Sequence, residues 1–151
     1  MGKRDWVEKI FIVVCGLVLI SAFIPCVRVN VSYEGIVSTR IHSILDANTG
    51  FMHILLPVAA AFLIIIGKRI LATVAAFITI FFNGFVLLYY LDAGDNLAGW
   101  YEDNTGLMGQ MMRSVGIDSV TVELPVGFYL VVTGLALLLI MAIVNIVIKE
   151  D

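Results

Sequence analysis

The sequence predicts a mainly α-helical integral membrane protein, an antiparallel four-helix transmembrane bundle with a small extracytoplasmic β-sheet and a short helix. Three observations lead to this fold class. Of the 151 residues, 61% are hydrophobic and only 14% are charged, whereas a soluble domain carries about 25% charged residues. The apolar residues form four long runs, and the cations are divided unevenly between the segments that join those runs. We treat residues 1–151 as a single membrane domain.

The four apolar runs define the predicted membrane helices, at residues 6–27, 50–67, 70–91 and 125–148. A helix of roughly 20 residues spans the hydrocarbon core of a bilayer, and three of the runs reach that length. The second run is shorter, so it uses the flanking Gly50 and Gly67 or a locally thinned bilayer. Lys3, Arg4 and Lys9 lie before or at the start of the first run, but no cleavage site follows it, so we interpret it as an uncleaved helix.

Lys68 and Arg69 lie between the second and third runs and decide the topology. Two cations in mid-bilayer would be costly, whereas a tight turn at Gly67, Lys68 and Arg69 leaves them in water. With both termini inside, the inner side has six cations, and the outer loops, residues 28–49 and 92–124, have three. This bias follows the positive-inside rule. The sequence therefore predicts a multi-pass protein of the cell membrane with both termini in the cytoplasm.

Alternating residues in the first outer loop predict a β-hairpin. Apolar residues at positions 27, 29, 31 and 33 alternate with polar ones, Glu34 and Gly35 supply a turn, and residues 36–44 are rich in β-branched side chains. We expect residues 27–33 to pair antiparallel with residues near 36–42. Residues 119–124 repeat the alternation in the second outer loop. Because a two-stranded ribbon is marginal alone, we expect this third strand to join the hairpin as an edge.

A short amphipathic helix is predicted within the second outer loop, with one apolar face made by Leu107, Met108, Met111, Met112 and Val115. This face either caps the bundle or the sheet, or forms an adaptable surface for a partner, because methionine packs against varied shapes. Trp100 and Tyr101 precede the helix. They either anchor the chain at the membrane interface or contribute to partner binding.

The sequence contains no catalytic or cofactor signature that we recognise, so we expect a protein that is not an enzyme and has no cofactor. His42, His53 and Asp46 fit no metal-site spacing, and we place both histidines at the boundary between loop and membrane. Cys15 and Cys26 are about 16 Å apart along a helix, which is beyond disulfide reach. Cys26 is then either a lone thiol on the outer side or, as we expect, an inert packed side chain.

An acidic cluster in the second outer loop leaves calcium binding open, although it lacks the residue order of an EF-hand. Its members are Asp92, Asp95, Asn96, Glu102, Asp103 and Asn104. Within the apolar runs we expect Asn83 and Asn145 to form hydrogen bonds across helices, and Gly16 and Gly134 to allow close helix contact. We take the interiors of the runs to lack ionisable residues, which disfavours ion-coupled transport.

The order of four segments resembles a family. These segments read SAFIPCVRVNV, SILDANTGFMHILLPVAA, GKR and VELPVGFYLVVTGLALLL. They resemble small bacterial four-helix membrane proteins of unassigned function, some of which carry an N-terminal zinc ribbon that this chain lacks. In gross plan the chain is also similar to claudins, with four helices, inside termini and an outer sheet, but without the paired loop cysteines or the W-GLW pattern. The resemblance implies a four-helix membrane fold and supplies no catalytic residue.

Function is therefore expected on the outer face, where the two loops carry three cations and eight acidic residues. We expect a non-enzymatic accessory or interaction protein that lies in the lipid bilayer and binds a protein partner, a ligand or a second copy through these loops, without nucleic acid. The candidate partner-binding residues are Trp100, Tyr101, Glu102, Asp103, Met108, Met111 and Met112. The alternative is a small oligomeric channel or transport subunit.

Overall fold

The computed structural model describes residues 3–102 and 106–148. The protein is mainly helical with one small sheet. A 3₁₀ helix at Ile44–Asp46 lies between the sheet and the second helix. The other elements, in chain order, are α1 Lys3–Ser21, β1 Val27–Tyr33, β2 Ile36–His42, α2 Gly50–Ile65, α3 Arg69–Glu102, α4 Leu107–Ser114, β3 Ile117–Glu123 and α5 Val126–Val147.

The sheet has three antiparallel strands in the order β2-β1-β3. Val27 pairs with His42 and Tyr33 with Ile36, so β1 and β2 form the predicted hairpin. The turn at Glu34 and Gly35 has positive φ at both positions, the backbone conformation that two-residue hairpin loops require. β3 pairs with the other edge of β1. The predicted hairpin and the predicted third strand are confirmed.

The four long helices pack side by side. α1 contacts α2 and α5, and α3 contacts the same two helices, so the four form a ring in the order α1, α2, α3, α5. Phe11, Val18 and Leu138 are among the side chains buried in the core between these helices. Gly134 lies close to Val18, as predicted for a small residue between helices, whereas a side chain at Gly16 would meet no other atom within 4 Å. The prediction of close contact at Gly16 was wrong.

Two of the described helices are long and apolar enough to cross a membrane. They are residues 69–99 of α3 and Val126–Val147, in which an 18-residue stretch has a mean hydropathy of 2.3 and 2.8, respectively. α2 is also apolar but has only 16 residues. Many large apolar side chains on the helices face outward, among them Phe81, Phe85 and Leu88.

Two predicted helix ends differ from the structure by more than one helical turn. The first apolar run does not stay helical to residue 27: α1 ends at Ser21, and Val27 begins β1. Pro25 explains this end, because the residue before a proline is biased away from helical geometry. The third helix does not end at residue 91 but continues to Glu102, so the first part of the predicted outer loop is helical. Apolar periodicity stops near residue 91, and the following residues include Asp, Asn and Gly, which are poor helix formers. Packing of this part of α3 against β3, as at Gly94 and Val122, accompanies the longer helix.

Gly67 and Lys68 form the predicted turn between α2 and α3. Gly67 adopts a positive φ of 75°, which glycine tolerates without steric cost. The Lys68 amide donates to the Leu63 carbonyl at 2.8 Å, and the Gly67 amide donates to the Ile64 carbonyl at 3.1 Å. These hydrogen bonds satisfy the last carbonyls of α2, as in a glycine-ended helix. Arg69 is then the first residue of α3.

Candidate interaction surface

One face of the sheet is fixed against the extended part of α3. Val122 of β3 lies so close to Gly94 that a Cβ atom there would be 3.1 Å from its side chain. The rings of His42 and Tyr90 stack with centroids 5.5 Å apart. The sheet therefore has a firm attachment to the helix layer, and its opposite face, with Asn30 and Thr39, remains exposed to solvent.

Tyr101 joins α3, α4 and β3. Its hydroxyl donates a hydrogen bond to the carbonyl of Asp118 in β3. The guanidinium of Arg113, in α4, lies 4.8 Å from the centre of the Tyr101 ring and donates to the Tyr101 carbonyl. Such a cation–π contact contributes about 0.5–1 kcal/mol at an exposed site. Tyr101 is half-buried by these contacts, so its visible role in this structure is to position α4.

The apolar face of α4 points away from the protein. Gly109 is buried, and the opposite side of the helix exposes Leu107 at 72% and Met111 at 55% of their surfaces. Met108 and Val115 are exposed on the same side. The sequence left open whether this face caps the bundle or the sheet or forms an exposed surface. In the structure the side chains of Leu107, Met108, Met111 and Val115 are exposed. Met112 is half-buried.

The end of the hairpin lies next to the end of α4. The Glu34 amide donates to the Gly116 carbonyl at 3.0 Å, and a Cβ atom at Gly116 would lie 3.2 Å from the Tyr33 ring. Tyr33 and Ile36 are both exposed, Ile36 at 71%. We call the exposed apolar residues at this end of the molecule the distal patch, and define it as Tyr33, Ile36, Leu107, Met108, Met111 and Val115.

The distal patch lies far from the start of α5. β3 has seven residues between Gly116 and Leu124, and at about 3.4 Å per residue it separates the two ends by about 20 Å. α3 is also longer than a membrane crossing requires. Its 34 residues at 1.5 Å each make a helix of about 51 Å, which exceeds the roughly 30 Å of a hydrocarbon core by about 20 Å.

The predicted partner-binding residues thus divide into separate groups. Met108 and Met111 lie in the distal patch, and Glu102 is exposed at the end of α3. Tyr101 and Met112 are half-buried. The side chains of Trp100 and Asp103 lie outside the described part of the chain.

Sequence reasoning missed the contribution of the hairpin to the exposed apolar surface. Ile36, Val37 and Ile41 of β2 are all exposed, although they lie on both faces of the strand. A signal for this exists: β1 alternates strictly between apolar and polar residues, whereas β2 has β-branched apolar residues at both even and odd positions. A strand with that pattern does not have one polar, solvent-exposed face and one apolar, buried face.

His53 lies near the start of α2, at the helix end where the sequence predicts it, and its side chain is fully buried. Asn83 lies in α3, and its side-chain oxygen can only accept a hydrogen bond. His53 Nδ1 is therefore the donor in the hydrogen bond that joins α2 to α3. The Thr49 hydroxyl donates to His53 Nε2 at 3.1 Å. His53 is therefore an ionisable residue inside a predicted apolar run, against the expectation that the interiors of the runs have none, and its two ring nitrogens are both hydrogen-bonded.

Asn145 forms the second polar contact between helices. Its Nδ2 donates to the Thr73 hydroxyl at 2.9 Å and to the Arg69 carbonyl at 3.3 Å. Arg69 Nε donates back to Asn145 Oδ1 at 3.1 Å. The predicted hydrogen bonds of Asn83 and Asn145 across helices are confirmed.

The residues weighed as metal ligands are held in other contacts. His42 stacks on Tyr90, His53 bonds to Asn83, and Asp46 accepts from the Ser43 amide at 2.6 Å. Across residues 3–102 and 106–148, no group of three or more His, Cys, Asp or Glu side chains is arranged to hold a metal ion. Asp103 and Asn104 of the acidic cluster lie outside these ranges. Cys15 and Cys26 are both buried and unpaired with each other.

No protein-family model, no curated protein and no solved structure matches this chain.

Proposed function

We propose that this chain is a multi-pass membrane protein without enzymatic activity that presents its outer sheet and α4 to a protein partner. α1, α2, α3 and α5 would form the transmembrane bundle, with both termini and Lys68 in the cytoplasm. The uneven division of cations and the apolar outer surfaces of the helices support this orientation.

The exposed apolar face of α4 is the observation that carries the proposal. Apolar residues on the helices of the bundle have lipid to cover them, but the distal patch stands about 20 Å beyond the start of α5. In that position Leu107, Met108 and Met111 face water. Exposed apolar patches on monomeric proteins mark interaction sites, and methionine-rich surfaces adapt to partners of different shape. We therefore assign partner binding to the distal patch.

Charge around the patch defines the kind of partner. The two outer loops contain three cations and eight acidic residues, a net charge of 3 − 8 = −5. Glu102 is exposed at the end of α3, close in sequence to α4. A partner with a basic rim around an apolar centre is complementary to this arrangement, and its association would weaken as salt increases.

Partner capture tests the proposal. The double variant Met108→Gln, Met111→Gln removes two apolar side chains, each of which contributes about 1–2 kcal/mol when buried in an interface. A loss of about 2 kcal/mol weakens capture roughly 30-fold. Gln110→Ala, also exposed on α4, is the matched control and should capture the partner as wild type does. Capture from gentle detergent would be measured by quantitative mass spectrometry at equal expression.

Charge reversal at Glu102 should weaken the same capture and reduce its salt dependence. The opposite pattern would contradict the proposal. If the outer variants capture the partner normally, and deletion of the residues after Ile148 abolishes capture, binding lies on the inner face.

A further inference from the structure

A cavity of about 800 Å³ opens between the start of α3 and the end of α5, at the end of the molecule opposite the distal patch. Lys68 and Arg69 lie on one side of it, and Thr73 and Asn145 form its polar floor. Its remaining wall is apolar and includes Ile70, Leu71 and Ile146. The cavity therefore has a cationic part and an apolar part, which is the pattern that an amphiphilic anion requires.

Arg69 gives the cavity a fixed shape. Its guanidinium donates from Nε to Asn145 Oδ1 at 3.1 Å and from a terminal nitrogen to the Asn145 carbonyl at 3.1 Å. The other terminal nitrogen lies 3.5 Å from the Ile148 carbonyl. These contacts hold the last turn of α5 against the first turn of α3. A guanidinium has five N–H groups, so two of them remain for a ligand.

Lys68 supplies a second cation. It is exposed, and no acidic side chain of the described residues lines the cavity with it. The start of α3 adds the partial positive charge of a helix N-terminus to these two cations. An anion bound here would meet favourable charge from three sources and no opposing carboxylate among the described residues.

The apolar wall excludes a small soluble anion as the best occupant. Ile70 is exposed at 82% and Ile146 at 64% of their surfaces. A free phosphate would contact Lys68 and leave this apolar surface uncovered, whereas an acyl chain would cover it. Basic pockets between membrane helices on the cytoplasmic side bind lipid headgroups in the same way.

We propose that this cavity is a binding site for an anionic phospholipid. Its phosphate lies against Lys68 and the two unused N–H groups of Arg69, and its acyl chains lie along Ile70, Leu71 and Ile146. This inference rests on the membrane insertion in the proposed function but is independent of the distal patch. It assigns to Lys68 a role in lipid recognition in addition to topology.

Lipid titration of the full chain tests the site. The protein, delipidated in a neutral detergent, is titrated with phosphatidylglycerol or with phosphatidylcholine of the same acyl chains, and bound lipid is counted by native mass spectrometry. Wild type should bind phosphatidylglycerol at least fivefold more tightly than phosphatidylcholine. Lys68→Gln should remove most of that preference. Arg40→Gln, an exposed cation on β2, should leave it unchanged.

Competition separates a lipid site from a site for free anions. Glycerol 3-phosphate and inorganic phosphate, at concentrations matched to the lipid, should not displace phosphatidylglycerol, because they have no acyl chains to cover the apolar wall. Equal binding of the two lipids, an unchanged preference in Lys68→Gln, or displacement by inorganic phosphate would each overturn the proposal. Normal partner capture by the Met108→Gln, Met111→Gln variant, with the lipid preference of wild type intact, would instead overturn only the proposed function.

Discussion

Gly127, in the first turn of α5, lies so close to Ile24 and Pro25 that no side chain fits at its position. A Cβ atom built there would lie 1.9 Å from the Pro25 carbonyl oxygen and 2.9 Å from the Ile24 side chain. A carbon and a carbonyl oxygen normally stay about 3.3 Å or more apart. Gly127→Ala therefore requires α5 and the segment after α1 to separate by more than about 1 Å. The obstacle is backbone, so no rotamer change relieves it.

The expected cost follows from this geometry. Overpacking of a close-packed interior costs about 1–3 kcal/mol, and a rigid backbone obstacle puts Gly127→Ala near the upper end of that range. Two other glycines give a matched series. Gly134→Ala would place its Cβ 3.3 Å from Val18 Cγ2, a contact that a small shift relieves. Gly16→Ala would meet nothing within 4 Å, so it should stabilise by up to about 1 kcal/mol through helix propensity.

Unfolding by sodium dodecyl sulfate in mixed micelles, followed by circular dichroism, measures all three variants in one assay. We expect stability to decrease in the order Gly16→Ala, Gly134→Ala, Gly127→Ala, with about 3–4 kcal/mol between the first and the last. Equal stability of Gly127→Ala and Gly16→Ala would show that α5 does not pack against Pro25 as described.

Three further predictions address the sheet, the polar contact and the topology. Val31→Pro removes a backbone donor from β1, the central strand, and should reduce the strand signal in circular dichroism, because proline is tolerated only at sheet edges; an unchanged spectrum would contradict the strand order. Asn145→Leu removes the hydrogen bonds of this side chain to Arg69 and Thr73. It should lower the free energy of unfolding by about 1–3 kcal/mol in the same detergent assay. A variant more stable than wild type would refute this account of the contact. In a background without the native cysteines, a cysteine at position 95 should react with an impermeant reagent added outside and a cysteine at position 68 should not; the reverse result would invert the topology.

The elements that the sequence predicts well are those whose signal is local. Strict alternation predicts β1, Glu34 and Gly35 predict its turn, and the cations beside Gly67 predict the break between α2 and α3. Each of these depends on a few neighbouring residues. For the same reason, Asn83 and Asn145 are correctly expected to bond across helices, since a buried amide in an apolar run needs a partner.

The rest depends on contacts between residues far apart in the chain. α3 continues to Glu102 where its apolar period has ended, and there Gly94 packs against Val122 of β3. The burial of His53 follows from its contact with Asn83, 30 residues away. The contacts of Tyr101 with the Arg113 guanidinium and the Asp118 carbonyl likewise cannot be deduced from the spacing of these residues in the sequence. Periodicity also identifies the apolar face of α4 but does not say which way that face points.

Photo-crosslinking in intact cells tests the assignment of partner binding to the distal patch most directly. A photoreactive amino acid would replace Met111 in one variant and Gln110, also on α4, in a second. A third variant would carry it at Phe85, an exposed apolar residue of α3 in the predicted span. The account predicts a discrete protein adduct from position 111 that is absent from 110, and only lipid adducts from 85. The same protein adduct from position 85, with none from 111, would contradict it, because recognition would then lie within the membrane.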